Sequence, residues 1–196
     1  MSFGLFAHGG IELFDINNVA NDIFGKAGFA AAENGLARSS RPAVALVHGT
    51  SRADKQWPLE HWRALGTRLN QAGYSVVLPH GSDAEQHHCD AIASQLTSAV
   101  VWPRLGLDAL TDALAQCAGV IGVDSGLSHI AVALDQPHVQ IYNFDTAWRT
   151  GPQHSARQVS VFALPAPSVD AVWQAWLGVR QPVRQPVRLP VAGKPS

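Results

Sequence analysis

Positive charge is scarce in this chain. Its 196 residues hold 14 lysines and arginines against 15 aspartates and glutamates, a formal net charge of −1 with histidine neutral. That balance excludes binding of nucleic acid or other polyanions through bulk charge. Only three lysines are present, Lys26, Lys55 and Lys194. Cysteine is rarer still: the two, Cys89 and Cys117, have no metal-type spacing and read as helix residues, which fits a reduced, cytoplasmic setting. No apolar run nears the ~18 residues of a membrane-spanning helix. The opening "MSFGLFAHGGIELFDINN" has neither a basic n-region nor a long apolar h-region, so no secretory leader is expected. Two catalytic signatures are also missing. There is no G-x-x-x-x-G-K-[ST] loop, and "GVDSG" (Gly122–Gly126) misses the G-x-S-x-G elbow of serine hydrolases by one position.

What is present is an alternation. Between residues 42 and 178 short apolar runs are followed by amphipathic stretches. "AVALVH" (Ala43–His48) reads as a buried strand. "PLEHWRALGTRLNQAG" (Pro58–Gly73) reads as a helix, because Leu59, Trp62, Leu65 and Leu69 share one face. Pro58 suits its first turn and Gly73 its C-terminal cap. Further strands are expected in "YSVVLP", "AVVW", "VIGV", "HVQIY" and "VSVF". Further helices are expected in "SDAEQHHCDAIASQL", "LDALTDALAQCAG", the stretch after Gly126 and "SVDAVWQAWLG". The pattern predicts the α/β class, a Rossmann-like parallel sheet with helices on both faces. Residues 1–41 are rich in Gly, Ala and Asn and show no sustained period, with one or two helical turns around Asn18–Phe24. Residues 179–196 repeat Gln-Pro-Val-Arg, and proline every fourth residue there predicts an extended or disordered tail. Its Arg180, Arg184 and Arg188 are either solvated or in peripheral contact with an anionic membrane surface.

Ligands of such sheets sit beyond the carboxyl ends of the strands, so the loops there carry the functional question. After the run "GVIGV" come Asp124, Ser125, Gly126 and His129. A helix N-terminus offers unpaired N–H groups to a phosphate, Gly126 lets it approach, and Ser125 and His129 add side-chain partners. The competing reading is plain capping by Asp124 or Ser125 with His129 in the core. The loop "VHGTSRADKQWP" brings Thr50, Ser51, Arg52 and Lys55 to another strand end, a set suited to a diphosphate or to an ordinary solvated loop. In "LPHGSDAEQ", Glu85 is the candidate for ribose hydroxyls and Asp83 the expected helix cap. His87 and His88 are adjacent on a helix and point about 100° apart, so no metal site is assigned.

These loops carry a resemblance. "HGTSRADKQWPLEHWRAL" together with "GVDSGLSHIAVALDQPHVQIY" resembles the C-terminal half of the lipopolysaccharide heptosyltransferases, glycosyltransferase family 9, of the heptosyltransferase I type. The resemblance spans residues 43 to 178. It implies one half of a GT-B fold, in which two Rossmann-like domains face a cleft and the C-terminal one binds ADP-heptose. The activity it implies is inverting transfer of heptose to Kdo-lipid A, in the cytoplasm or at the periphery of the inner membrane. On that basis Thr50, Ser51 and Lys55 meet the donor phosphates, Glu85 the ribose and Leu105 the adenine. Asp124, Ser125, Gly126 and His129 line the diphosphate and sugar. Lys55, Asp124 and His129 would act on the leaving group. No cofactor is implied, no DxD metal motif is present, and a role for magnesium stays open.

Two departures accompany the resemblance. The family's acceptor domain, with the aspartate that serves as base, finds no counterpart in residues 1–41, and "YNFDTAWRTGP" replaces a Gly-Pro-Thr type loop. The chain is therefore expected to be a donor-binding half that binds ADP-heptose without transferring it. Alternatives are a non-catalytic nucleotide-binding remnant or one subunit of a split enzyme completed by an acceptor-domain chain. Three parts are expected: segment 1–41, donor domain 42–178 and tail 179–196.

Overall fold

The computed structural model describes residues 41–180 apart from Ser51, Gln153 and His154. All of these lie in one compact unit, Arg38–Ser196. The helical turns expected around Asn18–Phe24, the tail beyond Arg180 and the Ser51 assignment fall outside the described residues.

Six strands form the sheet: β1 (Ala43–Val47), β2 (Ser75–Leu78), β3 (Ala99–Val101), β4 (Gly119–Val123), β5 (His138–Tyr142) and β6 (Gln158–Phe162). Every pairing is parallel and the order is β3-β2-β1-β4-β5-β6. This is the doubly wound order, whose direction of winding reverses between β1 and β4 and opens a crevice there. The helices are α1 (Leu59–Gln71), α2 (Asp83–Ala93), α3 (Leu107–Ala115), α4 (Gly126–Ala133), α5 (Ala147–Thr150) and α6 (Val169–Val179), with a 3-10 turn at Ala53–Lys55.

Alternate residues of each strand face opposite layers. Val44, Leu46, Val76, Leu78, Ile121, Val123, Val139 and Ile141 pack with Trp62, Leu65 and Leu69 of α1, Ile92 of α2 and Val172 and Trp176 of α6. On the other face α4 lies on β4 and β5, and α3 packs beside it. Gly122 is required for that approach: a Cβ there would sit 2.6 Å from Ser128 Oγ and 2.8 Å from Val47 Cβ. The α1 face predicted from Leu59, Trp62, Leu65 and Leu69 is the one buried, and Gly73 follows the helix at φ +90°, a left-handed stop that glycine accepts without strain.

Four local expectations need correction. Ser82, not Asp83, caps α2: its hydroxyl accepts from Glu85 N, while Asp83 pairs with Arg104 at 2.7 Å. Cys117 lies in the bend after α3 rather than in the helix, although it is buried. Val179 closes α6, and Arg180 reaches back to the Tyr74 hydroxyl at 3.4 Å, so the C-terminal tail begins later than position 179 and Arg180 is not a free membrane contact. The 3-10 turn and the four-residue α5 were not read at all.

Candidate functional site

The chemistry gathers at the carboxyl ends of β1 and β4, on the two sides of the crevice. Lys55, at the end of the 3-10 turn, places Nζ 2.6 Å from Asp124 Oδ2. Thr50 Oγ1 donates to the Asp124 carbonyl at 3.4 Å and ties the two loops together. The other carboxylate oxygen, Oδ1, lies 3.4 Å from Gln140 Nε2 and 3.5 Å from His129 Nε2. The Asp124 side chain is only 9% exposed, against 22% for Lys55 and 49% for His129. A buried acid has thus been paired with a cation whose head still meets solvent.

The start of α4 shows how Asp-Ser-Gly is held. Ser125 occupies the N-cap position with extended backbone, yet its side chain caps nothing. Its Oγ is buried and has no hydrogen-bond partner among the described residues. The turn is secured elsewhere, by Ser128 Oγ donating to the Val123 carbonyl at 2.6 Å. A Cβ on Gly126 would find open space within 4 Å. His129 is half exposed rather than in the core. Ser125 thus occupies the cap position without a side-chain cap, while Gly126 beside it leaves the helix N-terminus open.

The neighbouring strand ends extend the site. Glu85, one turn into α2, accepts from Gly81 N at 2.6 Å and leans over Gly49, whose missing side chain makes the space: a Cβ there would lie 2.6 Å from Glu85 Oε1. Leu105 is half-buried in the loop after β3. On the opposite side, Lys55, Asp124, Ile141, Tyr142, Asn143, Phe144 and Thr146 line a shallow surface recess. Asn143 donates to the Asp54 carbonyl, and the Arg52 guanidinium sits 5.6 Å from the centre of the Phe144 ring. These contacts join the loops of β1 and β5, and Arg52 also pairs with Asp54, holding its carboxyl below the usual range. Gln140 was missed in the sequence, its one signal being the polar residue at every second position of "HVQIY"; Tyr142, Asn143 and Thr146 lie in "YNFDTAWRTGP", which was read only as a departure from the family loop.

Behind Glu85, His48 is buried with its Nε2 3.0 Å from Cys89 Sγ and its ring stacked 4.7 Å from that of His88. Burial, aided by His88 and His80, lowers the His48 pKa to about 4, and burial raises that of Cys89 to about 12. Cys89 is thus an inert thiol. No group of three or more His, Cys, Asp or Glu is placed to hold a metal ion among the described residues, and no described helix is long and apolar enough to cross a membrane.

The model of glycosyltransferase family 9 (heptosyltransferase) matches residues 5–172. The chain belongs to that family. The match also begins well upstream of residue 43, so residues 5–41 correspond to a family segment, contrary to the sequence reading. Among curated heptosyltransferases, lipopolysaccharide heptosyltransferase 1 of Pseudomonas aeruginosa is 40% identical over 101 residues, covering 52% of this chain and 28% of that protein. The Escherichia coli K12 protein of the same name is 38% identical over 97 residues, covering 50% and 30%. These alignments cover under a third of the length of the relatives. Among solved structures, the E. coli heptosyltransferase WaaC with ADP superposes with a TM-score of 0.63 at 28% identity, over 74% of this chain and 47% of that one. WaaC with ADP-2-deoxy-2-fluoro heptose gives 0.60 at 30% identity, over 70% and 43%. The α/β architecture is thus that of the heptosyltransferase fold.

Proposed function

We propose that this chain carries the donor-binding half of a heptosyltransferase that acts in lipopolysaccharide core synthesis, and that the donor is ADP-heptose. One observation carries the reading: the order of side chains along the carboxyl edge of the sheet. From β3 to β5 the strand ends present Leu105, then Glu85, then Thr50 and Lys55, then Asp124, Ser125, Gly126 and His129, then the recess at Tyr142–Thr146. An apolar surface, a carboxylate, a cation with a helix N-terminus, and a shallow recess of mixed lining follow the order of adenine, ribose, diphosphate and sugar. Neighbouring strands are about 4.8 Å apart, so the row is roughly 19 Å long, within reach of an extended nucleotide sugar. The relatives solved with ADP and with a fluorinated ADP-heptose support the same ligand class.

In the proposed transfer, an acceptor hydroxyl of Kdo-lipid A attacks the anomeric carbon while ADP leaves. Lys55 and the N–H groups of α4 face the charge that grows on the diphosphate, and His129 stands beside the bond that breaks. Such fixed donors act most strongly where water is excluded. The group that removes the acceptor proton is not assigned to the described residues. In this reading the described domain binds the donor and works at the cytoplasmic face of the inner membrane together with an acceptor-binding part. Proximity of the two substrates contributes up to about 7–11 kcal/mol to such a reaction.

The test is calorimetric titration of the full chain with ADP-heptose, followed by incubation with Kdo-lipid A and mass spectrometry of the lipid, with and without magnesium. Binding with no heptosylated lipid is expected. Absence of ADP and ADP-heptose binding overturns the donor assignment, and transfer at enzyme-like rates overturns the half-enzyme assignment.

A further inference from the structure

One face of β5 is unlike the rest of the sheet. His138, Gln140 and Tyr142 project from it, and their exposures are 0%, 0% and 2%. The residues paired with the first two on β4 are Val120 and Gly122, and α4 covers this side of both strands. Strands inside a parallel sheet covered on both faces are usually apolar throughout; here polar side chains lie in the interior, where they need partners. The partners form a row. His138 Nδ1 lies 3.0 Å from the Val120 carbonyl. Gln140 acts on the His138 ring through its side chain and favours the charged imidazole, but neither His138 Nε2 nor Gln140 Oε1 reaches good hydrogen-bond geometry among the described residues. At the far end Gln140 Nε2 points at Asp124 Oδ1, 3.4 Å away. Tyr142 turns aside to Thr150 Oγ1 at 3.2 Å.

We infer that Gln140 is a positioning residue for the donor site: its buried amide fixes the rotation of the Asp124 carboxylate, and through that carboxylate the place of Lys55. Without Gln140 the carboxylate would keep Lys55 on Oδ2 and only the half-exposed, more distant His129 ring near Oδ1, a looser hold that lets it swing about its Cβ–Cγ bond. With buried Gln140 at Oδ1, beside the half-exposed His129, and Lys55 at Oδ2, the two oxygens have separate partners and one plane is selected. The amide end is chosen by chemistry, since an Oε1 turned toward Asp124 would set acceptor against acceptor. His138, anchored to the Val120 carbonyl, fills the space behind the amide and limits its rotamers. Gly122 opposite supplies the room that a five-atom side chain needs between two strands.

This inference rests on the proposed diphosphate site, and its test separates the two. Gln140→Met keeps length and volume but removes the donor, and Gln140→Asn keeps the amide but shortens its reach. Each full-length variant is titrated with ADP and with adenosine, its melting temperature is recorded, and the Met variant is crystallised without ligand. The expected result is ADP binding weakened about five- to tenfold in Gln140→Met, a loss typical of one hydrogen bond to a charged group. Adenosine should change by less than about twofold in both variants, and Gln140→Asn should fall between wild type and Met for ADP. Equal losses for ADP and adenosine, which a merely structural role would produce, overturn the inference. So does a crystal structure of Gln140→Met in which Asp124 keeps both Lys55 on Oδ2 and its plane. That structure decides the matter even if the wild type fails to bind ADP, an outcome that removes the proposed function but leaves the orientation of Asp124 directly observable. Should Gln140→Met not fold, the ADP-to-adenosine ratio of Gln140→Asn decides in its place.

Discussion

Lys55 is the residue on which most of the proposed site turns. It is one of three lysines in the chain, and its ammonium is half-buried against Asp124 at 2.6 Å. Charge-assisted bonds to phosphate contribute roughly 1.5–3 kcal/mol. Lys55→Ala is therefore expected to weaken ADP about tenfold or more and to leave adenosine nearly unaffected, as read by titration calorimetry. Equal losses for the two ligands would place Lys55 outside the phosphate site. At this scale the sequence was a good guide to which residues gather and a poor one to how. Lys55, Thr50, Asp124, Ser125, Gly126 and His129 were all picked from loops after apolar runs, and Thr50, Lys55 and His129 do meet Asp124. That Asp124 is the hub of the group was hidden, because an acid before Ser-Gly reads locally as a cap. Only the long-range pairing of β1 with β4 brings Lys55 to it.

At the scale of elements, α4 and the turn that feeds it combine a tight contact and an open one. At Gly122 an added methyl would press on Ser128 and Val47, whereas at Gly126 it would meet nothing within 4 Å. Overpacking of this kind costs about 1–3 kcal/mol. Gly122→Ala is expected to lower the melting temperature by roughly 2–12 °C for a chain of this size. Gly126→Ala should leave melting unchanged or raise it slightly, yet weaken ADP, because the new methyl stands where a phosphate would lie. If Gly126→Ala binds ADP like wild type, the N-terminus of α4 is not the anion site. Element bounds were legible where periodicity is strong: β5 is "HVQIY" residue for residue, and α1 differs from its expectation only at the ends. The Ala53–Lys55 turn and α5 were not legible, since three or four residues cannot display a period. The buried polar face of β5 was equally hidden, because alternation alone does not say which face α4 will cover.

For the molecule as a whole, stability should depend on acidity through two histidines. Burial lowers the pKa of both His48 and His138 to about 4, from an ordinary value near 6.5. The unfolded chain then binds protons at these sites before the folded one does, so the stability they contribute is complete above about pH 6.5 and is lost as pH falls toward 4. The loss is on the order of 3 kcal/mol per histidine. Denaturant midpoints should fall steeply over that window, and His138→Gln should reduce the slope. A midpoint that is flat from pH 6.5 to 4 in the wild type would show that neither ring is neutral and enclosed in solution.

The pairing of charges at the crevice has a kinetic consequence. Both basic side chains of the β1 loop already have an anionic partner, Arg52 in Asp54 and Lys55 in Asp124. An approaching diphosphate therefore meets little net positive field at a distance, and its attraction begins only when it can share Lys55 at close range. Fields of that kind are hardly screened by salt, because they act within a Debye length of about 8–10 Å. Stopped-flow mixing with a fluorescent ADP analogue should give an association rate that varies by no more than about twofold between low and moderately high ionic strength, where an electrostatically steered site slows by about tenfold or more. Selectivity among anions would then reside in how long each stays bound rather than in how often each arrives.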